Sequence, residues 1–312
     1  MTEKIASSAF KEAARITKML DVVLGVDRFD RRPVDVANLA LEYSAKTAAK
    51  SPIREVSEKD IPGCMGALVY GESIPRQWAI LYHRDQSPGR KAYTVAHEFG
   101  HYILHRQTID EDARFDGGLY CDEESILRRN GEDIEFEADQ FAANLLMPLH
   151  DFREQIPAAK VPSFDDLGAA ANRYGVSLTA ATLRWLEYTE TRALLVVSNE
   201  GFAQWAKTSS AALKSGRFIR TRNTVFELPK NATAVTKDYR AETALGISQA
   251  AGVWFPEPVL EMCIRSNRYD QEMTLLHLPK SEPVFHGEET VEDAVDQFSR
   301  NWKTKSTDAG AI

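Results

Sequence analysis

The sequence predicts an α+β protein: a mostly helical amino-terminal part that holds a small β-sheet, followed by a mixed α/β part. Three observations carry that expectation. Apolar residues recur at helical spacing over residues 5–24 and 136–146. Two short β-like runs, residues 65–70 and 78–82, are joined by G-E-S-I-P-R-Q and read as a hairpin. Beyond Thr189 the texture changes to brief apolar runs, L-L-V-V-S, T-V-F-E-L and T-L-L-H-L, parted by helical or turn-rich stretches.

Composition narrows the class. A chain of 312 residues is too long for one ordinary core, so two or three units are expected. Apolar content of 43% with 27% charged residues describes a globular protein rather than a disordered one. No apolar run approaches the ~20 residues that cross a bilayer, and the polar amino terminus shows no signal peptide. Cys64, Cys121 and Cys263 are scattered and odd in number, which argues for a reducing cytosol and a cytoplasmic protein. A net charge of −8 gives no global pull towards nucleic acid or acidic membranes. No internal repeat and no phosphate-binding glycine motif is present.

In chain order, Ile5, Phe10, Ile16, Leu20 and Val23 mark a first helix that Gly25 can stop. After the D-R-F-D-R-R turn, Pro33 is expected to open a second, with Val34, Val36, Leu39 and Leu41 apolar. Both should pack around the helix described next. The intervening hairpin has two readings: a free strand edge that takes an extended peptide, or a covering sheet with no substrate role.

The helix around residues 93–105 reads Y-T-V-A-H-E-F-G-H-Y-I-L-H and contains H-E-x-x-H. His97 and His101, four apart, share a helix face and can hold one ion. Glu98 lies about 100° round the axis, where it reaches a water on that ion and serves as general base. Zn²⁺ suits two imidazoles with one position left for water; Mn²⁺ can share such ligands. The pattern is the helix-borne signature of metalloproteases. Val95, Phe99, Tyr102, Ile103 and Leu104 make the helix apolar, and ionisable groups on a buried helix call for a partner or a metal.

From Asp110 to Asp139 the chain is acidic, mostly as solvated loop charge. Its end, E-F-E-A-D-Q-F-A-A-N-L-L-M-P, resumes a helical pattern closed by Pro148. A carboxylate there is the natural third ligand. Glu135 is favoured, with Asp139 on the same face orienting a histidine ligand, and Glu137 is the alternative. His105, on the face of His97 and His101, sits a turn too far to complete a tetrahedral site easily and reads as a structural or substrate-contacting residue. Cys121, between the ligands, reads either as a plain buried thiol or as an inhibitory thiolate in the water position.

Taken together, H-E-F-G-H-Y-I-L-H followed by I-E-F-E-A-D-Q-F-A-A-N-L-L-M-P resembles the ImmA/IrrE family of metallopeptidases, over roughly residues 30–190. The resemblance implies a zincin-like fold with His97, His101 and Glu135 as metal ligands and Glu98 as base. It also implies a partner transcriptional repressor as substrate, cut in DNA-damage, mobile-element or phage-related responses. Where the family commonly has Asn, this chain has Asp139. Members of its phage-defence branch use a cysteine switch of the kind considered for Cys121.

Ser163 and Asp166 form a capping-box signature before a helix to about Arg173, and Ser177 caps another over residues 178–188. The pair looks like a helix-turn-helix, but the second helix shows Arg184 almost alone, so scaffold packing is favoured over DNA reading. Lys214, Arg217, Arg220 and Arg222 surround Phe218, either as an ordinary basic patch or as a contact for single-stranded DNA or another activating ligand. The expected division is residues 1–160, a zincin-like metallopeptidase domain; 161–190, a helix-turn-helix-like segment; 191–302, an α/β sensor or regulatory domain; and 303–312, a disordered tail. The functional expectation is a zinc endopeptidase acting on a helix-turn-helix repressor, with no membrane partner. Its rivals are a DNA-binding regulator with a vestigial peptidase domain and a hydrolase of a non-peptide substrate.

Overall fold

A long first helix, α1 (Thr2–Leu24), buries a single stripe of Ala9, Ala13, Ile16 and Leu20, the three-to-four spacing of one helix face. A one-turn helix, α2 (Arg28–Arg31), occupies the charged segment read as a turn. The next helix, α3 (Val36–Thr47), begins later than Pro33, because the Asp35 side chain accepts from the Asn38 N–H at 3.1 Å and caps it there. The structure is a computed structural model and describes residues 2–61, 63–115, 117–122, 133–266 and 270–280.

The first sheet has four strands: β1 (Ile53–Lys59), β2 (Cys64–Tyr70), β3 (Trp78–His83) and β4 (Gly118–Asp122), in the order β1-β3-β2-β4. The hairpin of β2 and β3 is antiparallel, while β1 runs parallel to β3. Neither hairpin strand has a free edge, because β1 covers β3 and β4 covers β2. The open edges therefore belong to β1 and β4, which corrects the expectation that a peptide could lie on the hairpin itself. β4 was hidden within the acidic stretch read as loop.

From β3 the chain enters α4 (Pro88–Glu111), with Ser87 as its cap and Pro88 in the first turn, where a missing N–H costs nothing. α4 packs beneath β2 and β3 and against α5 (Asp133–Leu146), which α1 covers from outside. A short α6 (Leu149–Gln155) leads to α7 (Phe164–Tyr174) and α8 (Leu178–Tyr188). Both halves of the Ser163–Asp166 capping box form. α8 leaves only Glu187 exposed, and Arg184 is 3% exposed, so this helix offers no face to a DNA groove.

The second sheet begins with β5 (Ala193–Asn199) and β6 (Phe202–Thr208). After α9 (Ser210–Lys214), α10 (Thr233–Thr236) and α11 (Ala241–Leu245) come β7 (Ile247–Gln249), β8 (Val259–Ser266) and β9 (Gln271–His277). The order is β6-β5-β9-β8-β7, and every pairing is antiparallel. T-V-F-E-L is not a strand of this sheet. Its backbone makes a single antiparallel bridge, Glu227 to Phe202 at the start of β6, with Ala203 N–H donating to Phe226 O and Leu228 N–H to Gly201 O, and Val225 is 81% exposed. The uninterrupted apolar run of β5 reflects burial on both faces. Ala193, Leu195 and Val197 join the core of Trp185, Leu186 and Phe141, while Leu194 and Val196 pack with Ala212, Trp254 and Cys263 on the other side. Residues 1–279 make one compact unit. The disordered tail expected from Lys303 lies outside the described residues. No described helix is long and apolar enough to cross a membrane.

Candidate metal centre

α4 and α5 approach closely because their contact is made of small residues. A Cβ on Gly100 would meet Phe141 Cδ1 at 3.1 Å and Ala138 Cα at 3.2 Å. That closeness lets side chains of average length meet across the pair. His97 Nε2 and His101 Nε2 stand 2.9 Å apart, with Glu135 Oε2 at 3.1 Å from the first and Oε1 at 3.5 Å from the second. One donor atom from each of the three lies within 4.8 Å of the others. Both histidines are buried, at 1% and 0% exposure. Two imidazoles and one carboxylate, converging on one point, are the donor set that fits Zn²⁺.

The electrostatics agree. Burial opposes a charge on His97, but hydrogen bonds to Asp139 and Glu135 overcome it and push its pKa up to about 10. His101 goes the other way, pushed down to about 4 by burial, so it offers a neutral ring. Burial alone would raise Glu135, yet the adjoining His101 and His97 rings hold it well below the usual carboxylate range. The pocket thus favours a cation at its centre.

Around these donors the structure places the other carboxylates of α5. Asp139 Oδ1 accepts from His97 Nδ1 at 3.0 Å and from the Tyr93 hydroxyl at 3.1 Å. Glu137 is not among the three converging groups: its Oε2 accepts from His105 Nε2 at 2.7 Å. Glu98, fully buried, lies under β2, where a Cβ on Gly66 would come within 2.5 Å of its Oε1. Only glycine lets the strand pass this close. Neither Gly66 nor Tyr93 stood out in the sequence, since a glycine within an apolar strand and a tyrosine on a helix carry no pattern of their own.

Cys121 lies on β4 directly opposite Gly66, which brings its backbone near the Glu98 side of the site; its side chain lies outside the described residues. Arg184 serves the scaffold. Its guanidinium donates to the Met147 carbonyl at 2.9 Å, to Asn144 Oδ1 at 2.8 Å and to Glu187 Oε2 at 2.7 Å, fastening the end of α5. The basic cluster is not a free stripe. Arg217 donates to Glu257, which it shares with Arg192, whereas the Arg220 guanidinium lies 5.2 Å from the Phe218 ring centroid. Lys214 and Arg222 are exposed.

Residues 55–186 match the model of the peptidase M78 family, described as an IrrE N-terminal-like domain. Comparison with curated proteins finds no match. Among solved structures, a Mycobacterium tuberculosis transcriptional regulator aligns at 10% identity and a TM-score of 0.48, covering 88% of this chain and 76% of that one. The matched span starts within β1 and ends within α8, and so takes in the whole of the His97–His101–Glu135 cluster. Residues 55–186 thus form an IrrE N-terminal-like, metallopeptidase-type domain, which supports membership of the ImmA/IrrE family.

Proposed function

We propose that the protein is a zinc-dependent endopeptidase that cleaves a helix-turn-helix transcriptional repressor, relieving repression in a DNA-damage, phage-defence or mobile-element response. The observation that carries this reading is the convergence of His97, His101 and Glu135 beside the buried Glu98. These three side chains would hold Zn²⁺, or Mn²⁺ where that ion is the more available. When bound, the ion supplies Lewis-acid polarisation of a scissile carbonyl and a lowered pKa for water. Glu98 takes the proton of the attacking water and returns it to the departing amine. Its position under Gly66 fixes the carboxylate against β2 and shields it from bulk solvent.

The repressor as substrate rests on the family alone. The region from residue 191 onwards is assigned a sensor or regulatory role, with single-stranded DNA or another activating ligand as its effector and the exposed Phe218–Arg220 pair as the contact. A thiolate at Cys121 would hold the enzyme off by taking the water position, a reading supported by its register opposite Gly66.

The test is to incubate the purified protein with the repressor-like product of a neighbouring gene, with and without single-stranded DNA, and to follow cleavage and bound zinc together. Glu98→Gln should abolish cleavage and keep the metal; a variant that still cleaves removes Glu98 as the base. Cys121→Ala should raise cleavage in the absence of DNA, and unchanged basal cleavage would sink the gate.

A further inference from the structure

His105 stands in no contact with the three converging donors except through His101. Its Nδ1 lies 3.1 Å from His101 Nδ1, and its Nε2 lies 2.7 Å from Glu137 Oε2. His105 is 5% exposed and the Glu137 side chain 14%, so the arrangement is shielded from water. We propose that Glu137 and His105 form a two-step relay that fixes the tautomer of His101, making both of them positioning residues for the metal site.

Proton counting leads to this. An ionised carboxylate only accepts, so the hydrogen between Glu137 and His105 sits on His105 Nε2. In a neutral imidazole the other nitrogen is then an acceptor, and His105 Nδ1 faces His101 Nδ1 with its lone pair. Two lone pairs cannot share a 3.1 Å contact, so His101 Nδ1 carries a hydrogen and donates it. That leaves the lone pair of His101 on Nε2, the atom that points at His97 Nε2 and Glu135. His97 is held in one step, its Nδ1 donating directly to Asp139. Both imidazoles are thereby aimed and made more basic by a carboxylate, one directly and one through a second ring. Three acids of α5 then divide the work: Glu135 faces the centre, Asp139 holds His97, and Glu137 holds His101 through His105.

This inference rests on reading His97, His101 and Glu135 as the metal donors, and the experiment separates the two. Two measurements on the full-length protein are made: zinc affinity by competition with a chelator, and the His101 tautomer in the metal-free protein by long-range proton–nitrogen correlation. The wild type should show His101 in the Nδ1–H form. His105→Phe keeps the ring volume and removes the acceptor; it should mix the His101 tautomers and weaken zinc binding by about 10- to 100-fold. His105→Gln, whose amide oxygen can accept from His101, should recover most of that loss, which a purely space-filling role would not produce. Glu137→Ala should shift the tautomer in the same direction, whereas Glu135→Ala should lose zinc without changing the tautomer. An unchanged tautomer and unchanged zinc affinity in His105→Phe would overturn the relay. Absence of zinc binding by the wild type would instead overturn the metal reading, leaving the tautomer result to stand or fall alone.

Discussion

At the scale of single residues, the site depends on an atom that is missing. Gly66 faces Glu98 Oε1 and the Thr94 methyl, and a Cβ there would lie 2.5 Å from each. Thr94 is β-branched and buried, so it cannot swing aside cheaply, and the Glu98 carboxylate must move instead. Gly66→Ala should therefore lower turnover by about 100-fold, the effect of an ångström-scale misplacement of a catalytic group. Zinc binding should hardly change, because His97, His101 and Glu135 are on the helices and not on β2. Cleavage kinetics and zinc titration on the same sample check both halves, and a loss of zinc would contradict the division. His97, Glu98 and His101 were legible in the sequence because helical spacing fixes which residues share a face. Gly66 was not, because its role exists only once β2 crosses α4. For the same reason the rotation of Glu137 away from Glu135 was readable, but its partner His105 was not.

At the scale of elements, α5 is held from several sides, and Arg184 of α8 is its fastening at the carboxy-terminal end. Its three hydrogen bonds reach the Met147 carbonyl, Asn144 and Glu187. Removing the guanidinium would leave a buried carbonyl and a buried amide oxygen without their donor. Arg184→Ala is expected to cost about 3 kcal/mol of stability, as the summed loss of charge-assisted bonds and the desolvation of their partners. Denaturant unfolding measures this directly, and a cost below about 1 kcal/mol would mean that α5 is not anchored there. Arg184→Lys should recover little, since an ammonium cannot span the three acceptors as a planar fork does. The capping signals of α7 and α8 were readable, as Ser163, Asp166 and Ser177 act within four residues of themselves. The inward turn of Arg184 was not, because an arginine on an amphipathic helix ordinarily faces water. The short strands β1, β4, β6 and β7 escaped notice for a related reason: edge strands bury too little to impose an alternating pattern.

At the scale of the whole molecule, the two sheets are linked by a shared core, in which β5, β8 and β9 lay one face on α8 and its neighbours. His277, on β9, sits in this seam with its ring 5.5 Å from that of Trp185. Burial pushes its pKa down to about 4, against an ordinary value of 6.5. The sign follows from proton uptake. Between these two values the unfolded chain binds a proton at this position and the folded chain does not, so stability falls as pH falls through that window. The full effect, reached near pH 4, is about 3 kcal/mol at ~1.4 kcal/mol for each pH unit of displacement. Other groups titrate over the same range, so the informative quantity is a difference. Unfolding free energies of the wild type and of His277→Leu, measured between pH 7.5 and 4.5 at one fixed zinc concentration, should diverge as the acid form is approached, with the wild type the steeper. Parallel curves would mean that the His277 ring takes up its proton as readily in the folded seam as in water, and that the joint between the sheets is not closed to solvent at this point.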